Sequence, residues 1–375
     1  MKKIFSIALI IVFMSTAQAQ LFNGSKDLIY TQKAKNHNPG VFSFYTDFNY
    51  YSKDSKLIDE ISGVKKTYNL MAGNVVFAYG FFNHFDVSLG FRYYQVTNRE
   101  TDPNVPDDLF LSMRIGSFSF GDNHFYHGFV LGSRFPTAAQ YNYPLAEYAS
   151  GSIEFGVTYA FSFYSNKNLP YRFFNLHANL GYWNHNEKGK VFSFGENLEL
   201  EADHPSQEFR MALAFAFPTE YVEYRMELTG MLYLQKPHGF IYSAEEYAFL
   251  TPSIRIGILS WLSVDLGGDI RLSPEREWTT AEIPPAFPAG SGITSSYPDW
   301  KVHFGINIKY NFKENRGGEG FTRYQKSARQ KVEMEQTLID EIENTKKRQK
   351  EVEELKKLRK ETEEEIQNLK RVFGE

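Results

Sequence analysis

The sequence predicts an all-β chain closed into an antiparallel transmembrane β-barrel of about twelve strands, followed by a C-terminal α-helical, coiled-coil extension. Three observations predict it. Stretches in which every second residue is apolar recur along the chain, many long enough to cross a bilayer, which takes roughly 9–11 residues in a tilted strand. The connections between them alternate between long and short. The chain opens with a secretory signal pattern, and no later stretch is apolar enough for a membrane helix. A secreted chain of that kind can span a membrane only as a closed barrel.

Residues 1–19 carry the signal pattern: basic Lys2 and Lys3, an apolar run from Ile4 to Met14, and the small-x-small site Ala17-Gln18-Ala19. The mature chain is expected to start at Gln20. Residues 20–40 lack alternation and end in the turn signal Asn38-Pro39-Gly40, so they are expected as a periplasmic N-terminal segment.

The barrel is expected over residues 41–312. Phe42, Phe44, Phe48 and Tyr50 alternate with polar neighbours, and the run around Tyr68 to Gly80 is strand-like with ambiguous facing. Apolar series then follow at Phe85 to Tyr93, Leu109 to Ile115, a less regular Phe125 to Arg134, and Ile153 to Phe163. The second half repeats them at Phe174 to Tyr182, Phe209 to Phe217, Val222 to Leu232, Leu250 to Ile258 and Leu262 to Leu272. The closing strand is the clearest. In Asp299 to Phe312, Trp300, Val302, Phe304, Ile306, Ile308, Tyr310 and Phe312 alternate with Lys301, His303, Gly305, Asn307, Lys309 and Asn311. Aromatics near both ends lie where lipid interfaces would fall.

Long connections are expected at Ser52 to Thr67, Val96 to Asp107, Pro136 to Ser150, Trp183 to Gln207, Gln235 to Glu245 and Pro274 to Pro298. Shorter ones separate them, at Phe81 to His84, Ser119 to Asn123, Tyr164 to Pro170, Pro218 to Glu220 and Leu259 to Trp261. Outer-membrane barrels sort loops in this way, long outside and short in the periplasm, which puts both barrel ends in the periplasm.

After a polar linker, 313–323, residues 324–375 lack Pro and are rich in Glu, Lys, Arg, Gln and Leu. Leu338, Val352, Ile366 and Phe373 recur at multiples of seven, with Leu355 and Leu369 at the second seam position, while Thr345 and Arg359 interrupt the first, a weak heptad. A periplasmic helix is expected, able to associate with itself or with a partner.

Composition bounds the chemistry. A net charge of −4 leaves no nucleic-acid footprint, and the absence of cysteine excludes disulfides, thiol catalysis and thiolate metal sites. Aromatics make up 17% of the chain, as interfacial girdles require, and a mean hydropathy of −0.43 fits strands that alternate.

Two segments carry a family resemblance. Leu28-Ile29-Tyr30-Thr31-Gln32-Lys33-Ala34, with Asn38-Pro39-Gly40 and the first strand, resembles the lead-in of OmpA-like barrels. The run Phe77 to Val87 resembles the strand–turn–strand of those proteins and of outer-membrane transporters grouped with phenol-degradation pathways. The resemblance implies an outer-membrane location and passage of small solutes. Where OmpA-like proteins carry a globular peptidoglycan-binding domain, this chain has only the helix.

No enzyme chemistry emerges. His127 and Ser133 share a strand but stand too far apart to hydrogen-bond, and His124 and His127 sit three apart, on opposite faces. His185, His204 and Asp203 fall in a loop and are expected as solvated surface. Catalytic residues, metal and cofactors are therefore expected to be none. Alternation instead assigns to the lumen Asp47, Asp86, Arg92, Arg114, Arg134, Glu154, His177, Arg210, Glu223, Arg225, Glu227, Arg255, Asp265, Asp269, Arg271, Lys301, His303 and Lys309. Both signs are present, so these residues form either a salt-bridged filling or the wall of a polar channel. The function expected is a narrow or loop-occluded passive channel for small solutes. The alternative is a structural or interaction protein that anchors the periplasmic helix to the outer membrane.

Overall fold

The computed structural model describes residues 27–58, 65–97, 107–139, 141, 147–167, 170, 172–193, 199–241, 245–274, 297–312 and 323–374. The signal 1–19, residues 20–26 and linker positions 313–322 lie outside the described residues. The chain falls into two units, Met1–Gly318 and Glu319–Glu375.

The first unit is a closed barrel. In chain order the strands are β1 (Val41–Ile58), β2 (Lys65–Phe82), β3 (Phe85–Thr97), β4 (Leu109–Phe120), β5 (Phe125–Phe135), β6 (Glu154–Tyr164), β7 (Asn175–Asn184), β8 (Val191–Ser193), β9 (Glu199–Glu201), β10 (Gln207–Pro218), β11 (Val222–Gln235), β12 (Tyr247–Gly257), β13 (Leu262–Arg271) and β14 (Trp300–Asn311). β8 and β9 form a separate hairpin, and the remaining twelve close antiparallel, with β1 paired to β14 from Val41↔Asn311 to Tyr50↔Val302. Closure leaves no unpaired edge, the condition for a sheet in lipid.

Period two separates the faces. Along β14, Val302, Phe304 and Ile308 are exposed on the outside, while Lys301, His303 and Asn307 are buried. β2, whose facing the sequence left ambiguous, turns Ala72, Asn74, Val76 and Ala78 inward and Met71 outward. Where alternation offers only Gly305, Tyr45 fills the space, and an added Cβ would overlap its hydroxyl.

The connections sort by end. One end carries tight turns at 83–84, 121–124, 219–221 and 258–261, and the longer connection 165–174. The 121–124 turn needs Gly121, Asp122 and Asn123 all at positive φ, which these residue types tolerate best. The other end carries the long connections. One expected loop is shorter than the pattern suggested: Ser52 to Thr67 is largely strand, because β1 and β2 continue to Ile58 and Lys65. The long connection after β7 holds the β8–β9 hairpin.

The second unit is one helix, α1 (Arg323–Phe373). Among its described side chains Leu338, Ile342, Val352, Leu355, Leu358 and Ile366 are exposed and Met334 is half-buried. An i,i+4 ion pair, Arg359 to Glu363 at 2.8 Å, is of the kind that supports such a polar helix.

Candidate functional site

The barrel interior is built in two levels. The first is a wall of cross-strand polar partners. One row runs Glu223↔Arg255↔Asp265↔Gly305↔Asp47↔Asn74↔Arg92 through six strand pairings. Arg255 grips Asp265 with two bonds of 2.6 Å, and Arg225 bridges to Glu223 at 2.8 Å and to Asp265 at 3.5 Å. Asp86 stands opposite Arg114, and Asp269 opposite Lys301. Of the residues that alternation assigns to the lumen, Asp86, Arg114, Glu154, His177, Arg210, Arg225, Glu227, Arg255, Asp265, Asp269, Lys301 and His303 are buried. Asp47, Arg92, Arg134, Glu223, Arg271 and Lys309 are half-buried.

The second level is the lead-in. The segment expected in the periplasm is, over residues 27–40, folded back inside the barrel. Leu28, Thr31 and Ala34 have 0% exposure. The segment has no side-chain period, so nothing local marks it as buried, and its backbone groups find partners only on the distant wall. Starting at Gly40, beside β1, His37 N–H donates to Asp86 and Asn36 N–H to Ser117, both at 2.7 Å. Ala34 N–H donates to Ser162 Oγ at 2.9 Å, which in turn contacts His177 Nδ1 at 2.8 Å. Gln32 and Asn179 exchange two bonds, of 2.7 and 2.8 Å.

At the tip, Glu227 accepts the N–H groups of Ile29, Tyr30 and Thr31 at 2.9, 3.0 and 2.7 Å. The Tyr30 hydroxyl reaches Asp269 at 2.5 Å and His303 at 3.1 Å. The chain then turns back, with Leu28 N–H on Thr31 O at 3.1 Å, and Asp27 pairs with Arg114 at 2.5 Å. The segment is thus a hook, with its tip between β11, β13 and β14. Gly80 and Gly116 clear its path, since a Cβ there would overlap the carbonyl oxygens of Asn38 and Ala34.

Nearer the long-loop end, a second cluster narrows the mouth. Glu154 accepts from Trp183 Nε1 at 2.8 Å and from Ser150 N–H at 2.9 Å. Arg134 donates to Asp108 at 2.6 Å, and Arg210 to Glu208 at 2.8 Å. His185, expected as solvated loop surface, is 2% exposed between Glu154 at 3.0 Å and Glu208 at 2.7 Å. With Tyr148, Tyr247 and Tyr297 this cluster leaves a cavity of about 20 Å³, room for about one water. Asp108 and Glu208 escaped the sequence reading, although each continues the inward parity of its strand, with Phe110 and with Arg210. Asp27 had no such signal.

Burial alone would lower the pKa of His185, but Glu154 and Glu208 outweigh it and hold it up at about 10. The ordinary value is 6.5, so the stability contributed is complete below 6.5 and is lost as pH rises toward about 10. The midpoint of heat-modified gel mobility is therefore expected to fall from pH 7 to pH 10. His185→Gln should lower the midpoint at pH 7 and flatten that dependence; an equal pH response in the variant would refute the assignment.

On the outside of the long-loop end, Asp203 and His204 lie beside His238, so the loop histidine meets a partner that sequence order hid. His127 packs among Phe118, Phe120 and Tyr159.

No family model matches the sequence, and no curated protein sequence matches it. Solved structures similar to it include the NanC porin, at 8% identity over 71% of this chain and 100% of that one, with TM-score 0.44. The COG4313 outer membrane channel from Pseudomonas putida F1 is 8% identical over 74% of this chain and 98% of its own, with TM-score 0.47. The translocator domain of the autotransporter NalP from Neisseria meningitidis is 9% identical over 73% and 90%, with TM-score 0.38.

Proposed function

We propose that the chain is an outer-membrane channel for small polar solutes, held shut by its own lead-in. The observation that carries this reading is the filling of the lumen by residues 27–40, a segment separate from the wall and tied to it mainly by hydrogen bonds and ion pairs. Such bonds can be exchanged for bonds to water, and the strand ladder of the wall does not run through the hook, so it can leave without unfolding the barrel. The wall left behind carries both signs of charge and suits small polar solutes of either sign. The sorted connections favour long loops outside the cell, with the lead-in entering the lumen from the periplasmic end and the helix in the periplasm. A second reading, a structural or interaction protein whose barrel anchors its own periplasmic helix to the outer membrane, draws on the exposed apolar positions of the 51-residue α1.

A reversible lock tests the first reading. The chain has no cysteine, so Ala34→Cys with Ser162→Cys gives one defined pair. In planar bilayers the oxidised protein is expected to be silent, and reductant should restore the stepwise openings of the unmodified chain. Equal conductance in both states would remove the gate. Silence in both, and in the unmodified chain, would leave the anchor.

A further inference from the structure

Beyond the lumen, two connections meet around Asp203, His204 and His238. Asp203 and His204 follow β9, and His238 lies between β11 and β12. A small core of Tyr148, Phe192, Ala202 and Ile241 locks these connections together. Phe240 stacks on the His238 ring, centroids 5.0 Å apart and planes 10° apart.

One donor atom from each of the three residues lies within 4.8 Å of the others. His238 Nε2 is 3.2 Å from Asp203 Oδ1, and His204 Nδ1 meets the same oxygen. The outer side of the His204 ring is engaged: Nε2 lies 3.1 Å from the carbonyl of Lys236. A backbone carbonyl only accepts, so this outer nitrogen carries a proton. In the neutral ring the inner Nδ1 then turns a lone pair toward Asp203, whereas a protonated ring donates to it. His238 Nε2 is buried and makes no hydrogen bond. Three such atoms this close are held together by shared protons or by a cation among them, and an imidazole fixed from behind by a carbonyl is the usual setting of a metal ligand.

We propose that Asp203, His204 and His238 bind a divalent transition-metal ion, Zn²⁺ foremost, clipping the β9–β10 connection to the β11–β12 connection. Two imidazoles and one carboxylate suit zinc over magnesium or calcium, which prefer all-oxygen sets. Donors at about 2.0–2.1 Å from a tetrahedral ion stand roughly 3.3 Å apart, close to the 3.2 Å between His238 and Asp203, while the tighter His204–Asp203 contact has to open as the ion enters. The Asp203 side chain is 83% exposed, so a fourth position opens to solvent, where water or an outside ligand completes the shell.

The test is equilibrium dialysis of untagged, folded, full-length protein against zinc chloride, with metal counted by mass spectrometry. About one zinc per chain is expected. His238→Ala and Asp203→Asn should each weaken binding at least about tenfold, with unchanged heat-modifiable mobility, whereas His84→Ala at the opposite end should not. No stoichiometric zinc, or binding indifferent to His238→Ala and Asp203→Asn, would overturn the proposal and leave a hydrogen-bonded Asp–His pair.

Discussion

Glu227→Ala is expected to raise ion and sugar flux through the reconstituted barrel on the order of a hundredfold. The side chain accepts from Ile29, Tyr30 and Thr31 N–H groups at the tip of the hook. Deleting it orphans three buried donors, each costing about 1–3 kcal/mol. Water entering behind the tip recovers part of that, so the net loss is taken as about 3 kcal/mol. At about 1.4 kcal/mol per decade, the closed state loses roughly two decades to the open one. The barrel ladder is untouched, and heat-modifiable mobility should persist. Glu227→Gln keeps one acceptor oxygen and should fall between. Liposome swelling and single-channel recording read the effect. Wild-type flux from a correctly folded Glu227→Ala would mean that the hook does not seal the lumen.

Ile306→Arg is expected to cost about 2–4 kcal/mol of folding free energy, the range for a cation facing the bilayer midplane. Ile306 lies on the outward series of β14, between the exposed Phe304 and Ile308, and is only half-buried. Ile306→Leu, which keeps the lipid face apolar, should cost less than about 1.5 kcal/mol. Denaturant unfolding of protein reconstituted in lipid measures both. If arginine and leucine variants unfold together, the register of the closing strand is wrong. The neighbouring position behaves differently from what alternation alone suggests. Asn307 faces inward, but it is 1% exposed beside Ser263. The interior is filled, so Asn307→Arg should also be costly, by overpacking of about 1–3 kcal/mol.

That contrast marks the division between sequence and tertiary structure. Period two is a property of the backbone, carried by each strand alone. Val302, Phe304 and Ile308 could therefore be set outside, and Lys301, His303 and Asn307 inside, from the sequence of β14 by itself. The same parity extends to charged positions such as Arg255 and Asp265. Closure through β1 and β14, the sorting of connections by end and the separate helix follow from the same local signals and from the rule that lipid tolerates no open edge.

What fills the barrel was not legible. The hook has no period, and its bonds span 239 residues from Tyr30 to Asp269 and 198 from Ile29 to Glu227. His185 falls in a loop, where local sequence predicts solvated surface, and it lies inside because Glu154 and Glu208 converge on it from β6 and β10. His238 joins Asp203 and His204 only because two connections share a small core. Local alternation decides which way a side chain points; which partner it finds, and whether space remains for a solute, depends on contacts that exist only once the sheet has closed.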